Sequence, residues 1–137
     1  MRRESNLQAA CVNWFRLQHP DLRPLYISIP NGVPLGTASA AQFLREGLTA
    51  GAADTLLLVP SLGYHGLAIE YKVLVEEWHG GRRTYRKTYQ SPEQRAWQAA
   101  VEKQGYKYAV VRTFDEFREL VDNYLTPART KAAPELF

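Results

Sequence analysis

Two acids and a lysine are spaced in this chain as a cation site with a fixed positive charge beside it. Gly51-Ala52-Ala53-Asp54 leads into an apolar run, Thr55 to Val59, and a second apolar run, Leu67 to Val73, carries Glu70, Tyr71 and Lys72. Side chains two apart on a strand project from one face, so Glu70 and Lys72 are expected side by side. Pro60-Ser61-Leu62-Gly63-Tyr64-His65-Gly66 separates the runs and predicts the loop of an antiparallel hairpin. Facing residues of a hairpin have numbers of constant sum, and a loop centred near Gly63 brings Asp54 close to the level of Glu70 and Lys72. Charges on strands this apolar are costly unless they pair or hold a metal. One reading is a structural ion pair of Asp54 or Glu70 with Lys72. The acid upstream, at the register the hairpin demands, favours a metal site instead, and oxygen ligands in a half-open site suit Mg²⁺ or Mn²⁺ better than zinc. Cys11 is the single cysteine, and His19, His65 and His79 lack ligand spacing.

The elements that must position these residues are legible from period and punctuation. Leu7, Ala10, Cys11, Trp14 and Phe15 recur at helical spacing and predict a helix from Arg3 to about Gln18, stopped by Pro20. Glu4 lies on its inward stripe, where an acid either favours the positive end of the helix dipole or points into the site. Leu25 to Ile29 alternates as a strand and ends at the turn Pro30-Asn31-Gly32. Ser39 to Glu46 predicts a short helix closed by Gly47. Ser91-Pro92-Glu93-Gln94 opens a helix with a serine cap, a first-turn proline and a capping-box glutamine; Ala96, Trp97, Ala100 and Val101 are its expected inward face. Tyr108 to Val111 is an expected strand, and Thr113 to Tyr124 a last helix with Phe117, Leu120 and Val121 inward. The order is helix, strand, helix, strand, strand, helix, strand, helix. Its final strand–helix–strand step predicts a parallel crossover, hence an α/β fold with a mixed central sheet flanked by helices.

Composition narrows the function class. A length of 137 residues, 45% hydrophobic and 23% charged, suits one globular domain, expected over 1–125 with a tail over 126–137. No apolar run reaches a membrane span, and Met1-Arg2-Arg3-Glu4 opens no signal peptide. With one cysteine, a reducing cytoplasm is the expected setting. Net charge is +3, only mildly basic, but its distribution is uneven. Arg82, Arg83, Arg86 and Lys87 cluster between His79 and Tyr89, interleaved with Tyr85 and Tyr89. Such a stretch suits a nucleic-acid backbone and its bases; the alternative is a solvated hairpin tip turning at Gly80-Gly81. Beside the metal site, nucleic acid is favoured.

These features together resemble the PD-(D/E)xK nucleases, and more closely the virus-type replication-repair nuclease (VRR-NUC) group, over roughly Glu4 to Tyr124. The resemblance rests on Glu4 in the first helix, Pro30-Asn31-Gly32, Gly51-x-x-Asp54, Glu70-x-Lys72 and Ser91-Pro92-Glu93-Gln94-x-x-Trp97. It departs at Ala53, where the family commonly has proline, and in the length of the basic stretch after Lys72. The resemblance implies a restriction-endonuclease-like core and a Mg²⁺- or Mn²⁺-dependent DNA endonuclease, similar to Holliday-junction resolvases and acting as a homodimer on branched DNA. It assigns Asp54 and Glu70 as metal ligands, with the Tyr71 carbonyl and Glu4 joining them directly or through water. Lys72 would orient or activate the attacking water. Gln94 is the family's helix glutamine, and capping and catalysis can coexist there. Asn31 either contacts substrate or only makes its turn. Trp78, Tyr85 and Tyr89 are expected at the dimer interface, with strand alternation turning the arginines toward DNA. A binding module without turnover and a restriction-type nuclease reading a short sequence are the competing classes.

Overall fold

Leu62 and Gly63 both take positive φ, 55° and 84°, and Ser61 and Tyr64 bond each other's backbone in both directions. This two-residue turn has the twist that closes a hairpin. It fixes the register of everything around it. The computed structural model describes residues 2–30 and 36–135. In chain order it contains α1 (Arg2–Gln18), a 3₁₀ turn (Pro20–Leu25), β1 (Tyr26–Ser28), α2 (Thr37–Arg45), β2 (Thr55–Leu57) and β3 (Leu67–Tyr71). There follow β4 (Leu74–His79), β5 (Arg82–Lys87), α3 (Pro92–Lys103), β6 (Lys107–Val111) and α4 (Phe114–Glu135). Asn31 and its turn lie outside the described residues.

The central sheet has the order β1-β2-β3-β6. β1 and β2 are antiparallel, β2 and β3 are antiparallel, and β3 and β6 are parallel. The mixed sheet and parallel closing step expected from the sequence are therefore present. Thr55 faces Ile69 and Leu57 faces Leu67, so the next position sets Asp54 opposite Glu70. That is the register the hairpin loop implied.

Alternation sorts the two faces of the sheet. Odd-numbered Leu57, Leu67, Ile69, Tyr71 and Val111 pack with Cys11 and Phe15 of α1 and Phe117, Val121 and Tyr124 of α4. Even-numbered Ala68 and Tyr108 pack with Ala53, and Leu56, Val110, Trp97 and Val101 lean on them. The first face holds the large core. The second is shallow, which explains one departure from the sequence reading: Ala96 and Ala100 are exposed, and the apolar packing of α3 on the sheet runs through Trp97 and Val101. Small side chains at the right period mark a helix face without guaranteeing that anything covers it. Glu70 belongs to this second face, so the site is built where packing is thin.

Three further differences concern boundaries. A 3₁₀ turn built on Pro20 and Pro24 shortens the first strand to three residues, because proline donates no ladder bond. The basic stretch is a hairpin of its own, β4–β5, turning at Gly80 and Gly81 with φ of 56° and 82°. It pairs with itself and stays outside the central sheet. Helix α4 continues to Glu135, past the expected end near Tyr124; the alanines among 128–133 are strong helix formers. Among the described residues no helix is long and apolar enough to cross a membrane.

Candidate metal centre

The carboxylate of Asp54 is held by the backbone of the strand it faces. The Tyr71 N–H donates to its Oδ2 at 2.7 Å, so the acid is fixed between the positions of Glu70 and Lys72. Immediately upstream the Ile29 N–H donates to the Asp54 carbonyl at 2.8 Å, tying the same residue to the end of β1. Asp54 is thus anchored from both flanking strands. Gly51, three residues earlier, has φ of 84°, and a Cβ there would stand 2.3 Å from the Glu93 carbonyl oxygen. Only glycine lets this loop press against the first turn of α3.

That contact matters because α3 begins with the residue that holds Glu70. Ser91 caps the helix: its Oγ accepts from the Gln94 N–H at 3.1 Å, and its own N–H donates to Gln94 Oε1 at 2.9 Å. With Oε1 committed to the cap, the Gln94 amide turns its Nε2 outward, and this donates to Glu70 Oε2 at 3.0 Å. Capping and site roles coexist in one side chain.

Glu70 itself is 3% exposed, and its second oxygen, Oε1, is buried with no hydrogen-bond partner. Burial pushes its carboxyl up to about 8; the charge and close approach of the Asp54 carboxylate add to the rise, Lys72 opposes it, and Glu4 adds to it. A buried carboxylate with an orphaned oxygen beside a second acid is relieved either by a proton or by a cation. The donor set fits a hard divalent ion: two carboxylates and the neighbouring carbonyl of Tyr71, all oxygen. Among the described residues no three His, Cys, Asp or Glu side chains converge closely enough to hold an ion. Glu4 therefore acts on Glu70 through its charge without completing a three-acid cluster.

Lys72 follows the last residue of β3, and its N–H continues the ladder to the Val111 carbonyl at 2.9 Å. Its ammonium lies near enough to oppose the rise at Glu70. Asp54, Glu70, Lys72 and Gln94 are thus brought together.

A polar layer behind the site was not foreseen. The Tyr26 hydroxyl is 2.6 Å from that of Tyr71 and 2.8 Å from Thr55 Oγ1, and Cys11 also bonds Tyr71. All four are buried. Burial pushes the Cys11 thiol up to about 11 and raises both phenols above their ordinary range. Tyr71 is pinned from the core side while its backbone serves Asp54 on the other. Alternation along a strand does not by itself say that two hydroxyls meet.

The basic hairpin is a different kind of surface. Its register sets Trp78 opposite Arg83, Glu76 opposite Tyr85 and Leu74 opposite Lys87 on one face, with Arg82 and Arg86 on the other. Trp78 and Tyr85 thus share a face with Arg83, whose guanidinium is 5.8 Å from each ring centroid. The expected separation of aromatics from arginines holds for Arg82 and Arg86 only. Glu77 pairs with Arg86 at 2.7 Å, and Glu76 with Arg83 and with Arg3 of α1 at 3.6 Å each. The hairpin neutralises part of its own charge; among the described residues Arg82 and Lys87 make no ion pair.

No family model and no curated protein matches the sequence. A solved structure described as a VRR_NUC domain protein does match, at 25% identity and a TM-score of 0.69, covering 90% of this chain and 88% of the other. This likeness bears out the VRR-NUC resemblance and the restriction-endonuclease-like α/β core expected from the sequence.

Proposed function

We propose that this VRR-NUC-like chain is a metal-dependent, structure-selective DNA endonuclease resembling Holliday-junction resolvases, working in phage or bacterial replication and repair. The observation that carries the reading is Glu70: a buried carboxylate with an unpartnered oxygen, beside Asp54 and within reach of Lys72. The nuclease domain spans 1–125. Asp54, Glu70 and the Tyr71 carbonyl would hold Mg²⁺ or Mn²⁺, with Glu4 joining directly or through water. A divalent ion held there would supply a lowered water pKa and positive charge for the phosphate and leaving oxygens.

The chain's own residues do the rest. The Tyr71 N–H fixes the Asp54 carboxylate, and Gln94 holds one Glu70 oxygen while the other is left without a partner. Lys72 supplies a positive charge against the scissile phosphate and orients the attacking water. Arg82, Arg83, Arg86 and Lys87 contribute phosphate contacts away from the reacting bond, and Asn31 contacts substrate. One metal site per chain makes one cut, whereas a four-way junction needs two symmetric cuts. A two-fold homodimer built on Trp78 and Tyr85 of the hairpin meets that need.

The test is one purified sample incubated with duplex, flap, fork and four-way DNA in Mg²⁺ or Mn²⁺. Expected are cuts on branched DNA, none in chelator, and a light-scattering mass near twice 15.6 kDa. A clean monomer that cuts flaps but leaves junctions intact removes the resolvase reading and keeps the nuclease. No cleavage of any substrate removes both.

A further inference from the structure

Arg112 stands at a position the carboxylate site does not use. Tyr71 pairs with Val111 across the parallel β3–β6 ladder, so the next positions set Arg112 beside Lys72. Residues in register on parallel neighbours share a face, with the strands about 4.8 Å apart. Arg112 therefore projects from the same shallow face as Glu70 and Lys72.

Its surroundings are unusual for a structural arginine. One guanidinium nitrogen donates to the Thr88 carbonyl at 2.8 Å, while Nε is buried with no partner. The guanidinium lies 5.6 Å from the ring centroid of Tyr89, a side chain 72% exposed. The segment carrying Tyr89 is tied down on both sides. Thr88 Oγ1 donates to the Val73 carbonyl at 3.0 Å, and Gln90 Nε2 donates to the Tyr108 hydroxyl at 3.1 Å. Tyr108 in turn feels the charge of Glu70 and Asp54. The tyrosine is thus held over the end of β6, at the rim of the carboxylate site, with a ring open to solvent and a cation under it.

We infer that Arg112 and Tyr89 form a nucleotide subsite beside the carboxylates, the guanidinium taking a backbone phosphate next to the scissile one and the tyrosine ring stacking on an unpaired base. The terminal guanidinium N–H groups not committed to Thr88, rather than the buried Nε, are the donors that match phosphate oxygens. An aromatic face stacks on any base that has left its duplex, and a cation beneath the ring is compatible with that contact. A paired base offers its flat face to its neighbours in the duplex and not to a protein ring, so this subsite favours DNA with an unpaired nucleotide at the cut. The inference rests on the nuclease reading and supplies it with a physical source of structure selectivity.

The test pairs protein and DNA changes in equilibrium binding with chelator present, so that turnover is not required. A single uncharged methylphosphonate is moved along a flap substrate, and a single abasic site likewise, and each is measured with the wild type, Arg112→Gln and Tyr89→Ala. Expected is one methylphosphonate position adjacent to the cut that weakens wild-type binding about tenfold and Arg112→Gln binding hardly at all. One abasic position should likewise lose its effect in Tyr89→Ala, a ring exposed enough to remove without unfolding. Arg112→Lys, which keeps the charge, should retain part of the methylphosphonate effect. Arginine holding only the Thr88 segment would instead give variants whose effects add to every DNA change, and that result overturns the subsite. DNA binding by the wild type with additive cycles rejects the subsite alone. A wild type that binds no DNA rejects the nuclease reading, and the subsite with it.

Discussion

The carboxylate site and the β4–β5 hairpin both carry charge that could meet a nucleic acid, and they treat it in opposite ways. At the site, Glu70 is buried, its Oε1 has no partner, and its carboxyl is pushed up to about 8. On the hairpin every residue of β5 is exposed, and Arg83 and Arg86 pair with glutamates on the opposite strand. Burial without compensation creates a demand for a cation or a proton. Exposure with compensation leaves charges worth little individually, because water and salt screen them. On the proposed reading the two regions divide chemistry from affinity, and each division can be broken separately.

The largest effect is expected at the site. Asp54→Ala, Glu70→Ala or Lys72→Ala should lower cleavage by a thousandfold or more in Mg²⁺ while leaving DNA binding within a fewfold, as gel cleavage and binding assays on one substrate would reveal. Near-normal nicking by Glu70→Ala in Mn²⁺ would end this assignment.

Next in size is Gly51→Ala. Its Cβ would collide with the Glu93 carbonyl, and the positive φ adds strain, so a stability loss of about 2–4 kcal/mol is expected by denaturant titration. Any active fraction should lose cleavage further, because α3 is displaced from Glu70. An unchanged midpoint would mean that the loop and helix do not press together as described.

Smaller, and specific to burial, is a pH effect. Glu70 has its folded pKa raised to about 8 from 4.5, so its contribution to stability is fully present below about pH 4.5. It is lost as pH rises through about 8. The melting temperature of chelated protein should fall by roughly 5 °C across that window. Glu70→Gln should flatten the fall, and Mg²⁺ should reverse it at pH 8 more than at pH 5.5. Identical profiles for wild type and Glu70→Gln would show that the acid is not under this strain.

The smallest effect belongs to the hairpin. Replacing Arg82, Arg83, Arg86 and Lys87 by alanine should reduce the log–log salt slope of duplex binding by about 1.8, not the roughly 3.6 that four unencumbered phosphate contacts would give. Glu76→Gln with Glu77→Gln should strengthen binding by freeing two arginines. A full loss of slope in the fourfold variant would mean that DNA outcompetes the glutamates, and the contrast between the regions would shrink accordingly.

Much of this arrangement is written in local spacing. Alternation of period two, a loop of turn formers and a serine–proline–glutamine cap are short-range signals, and they determined the hairpin register of Asp54 with Glu70, the α3 cap and the α/β order. Gly51 stood in the same motif, three residues before the acid. Other features depend on which surfaces meet. No spacing reveals that Gln94 reaches Glu70 across twenty-four residues, that Tyr26 and Tyr71 share a hydroxyl contact, or that Arg112 lands beside Lys72 across a parallel pair. The exposed Ala96 and Ala100 belong here too, since helical period says which side faces inward and the width of the sheet decides whether it is covered. Local backbone preference acts within a few residues of the chain. Burial, orphaned oxygens and raised pKa values arise only when distant segments exclude water together, so the residue types and their register came from the sequence, and their chemical state came from the tertiary structure.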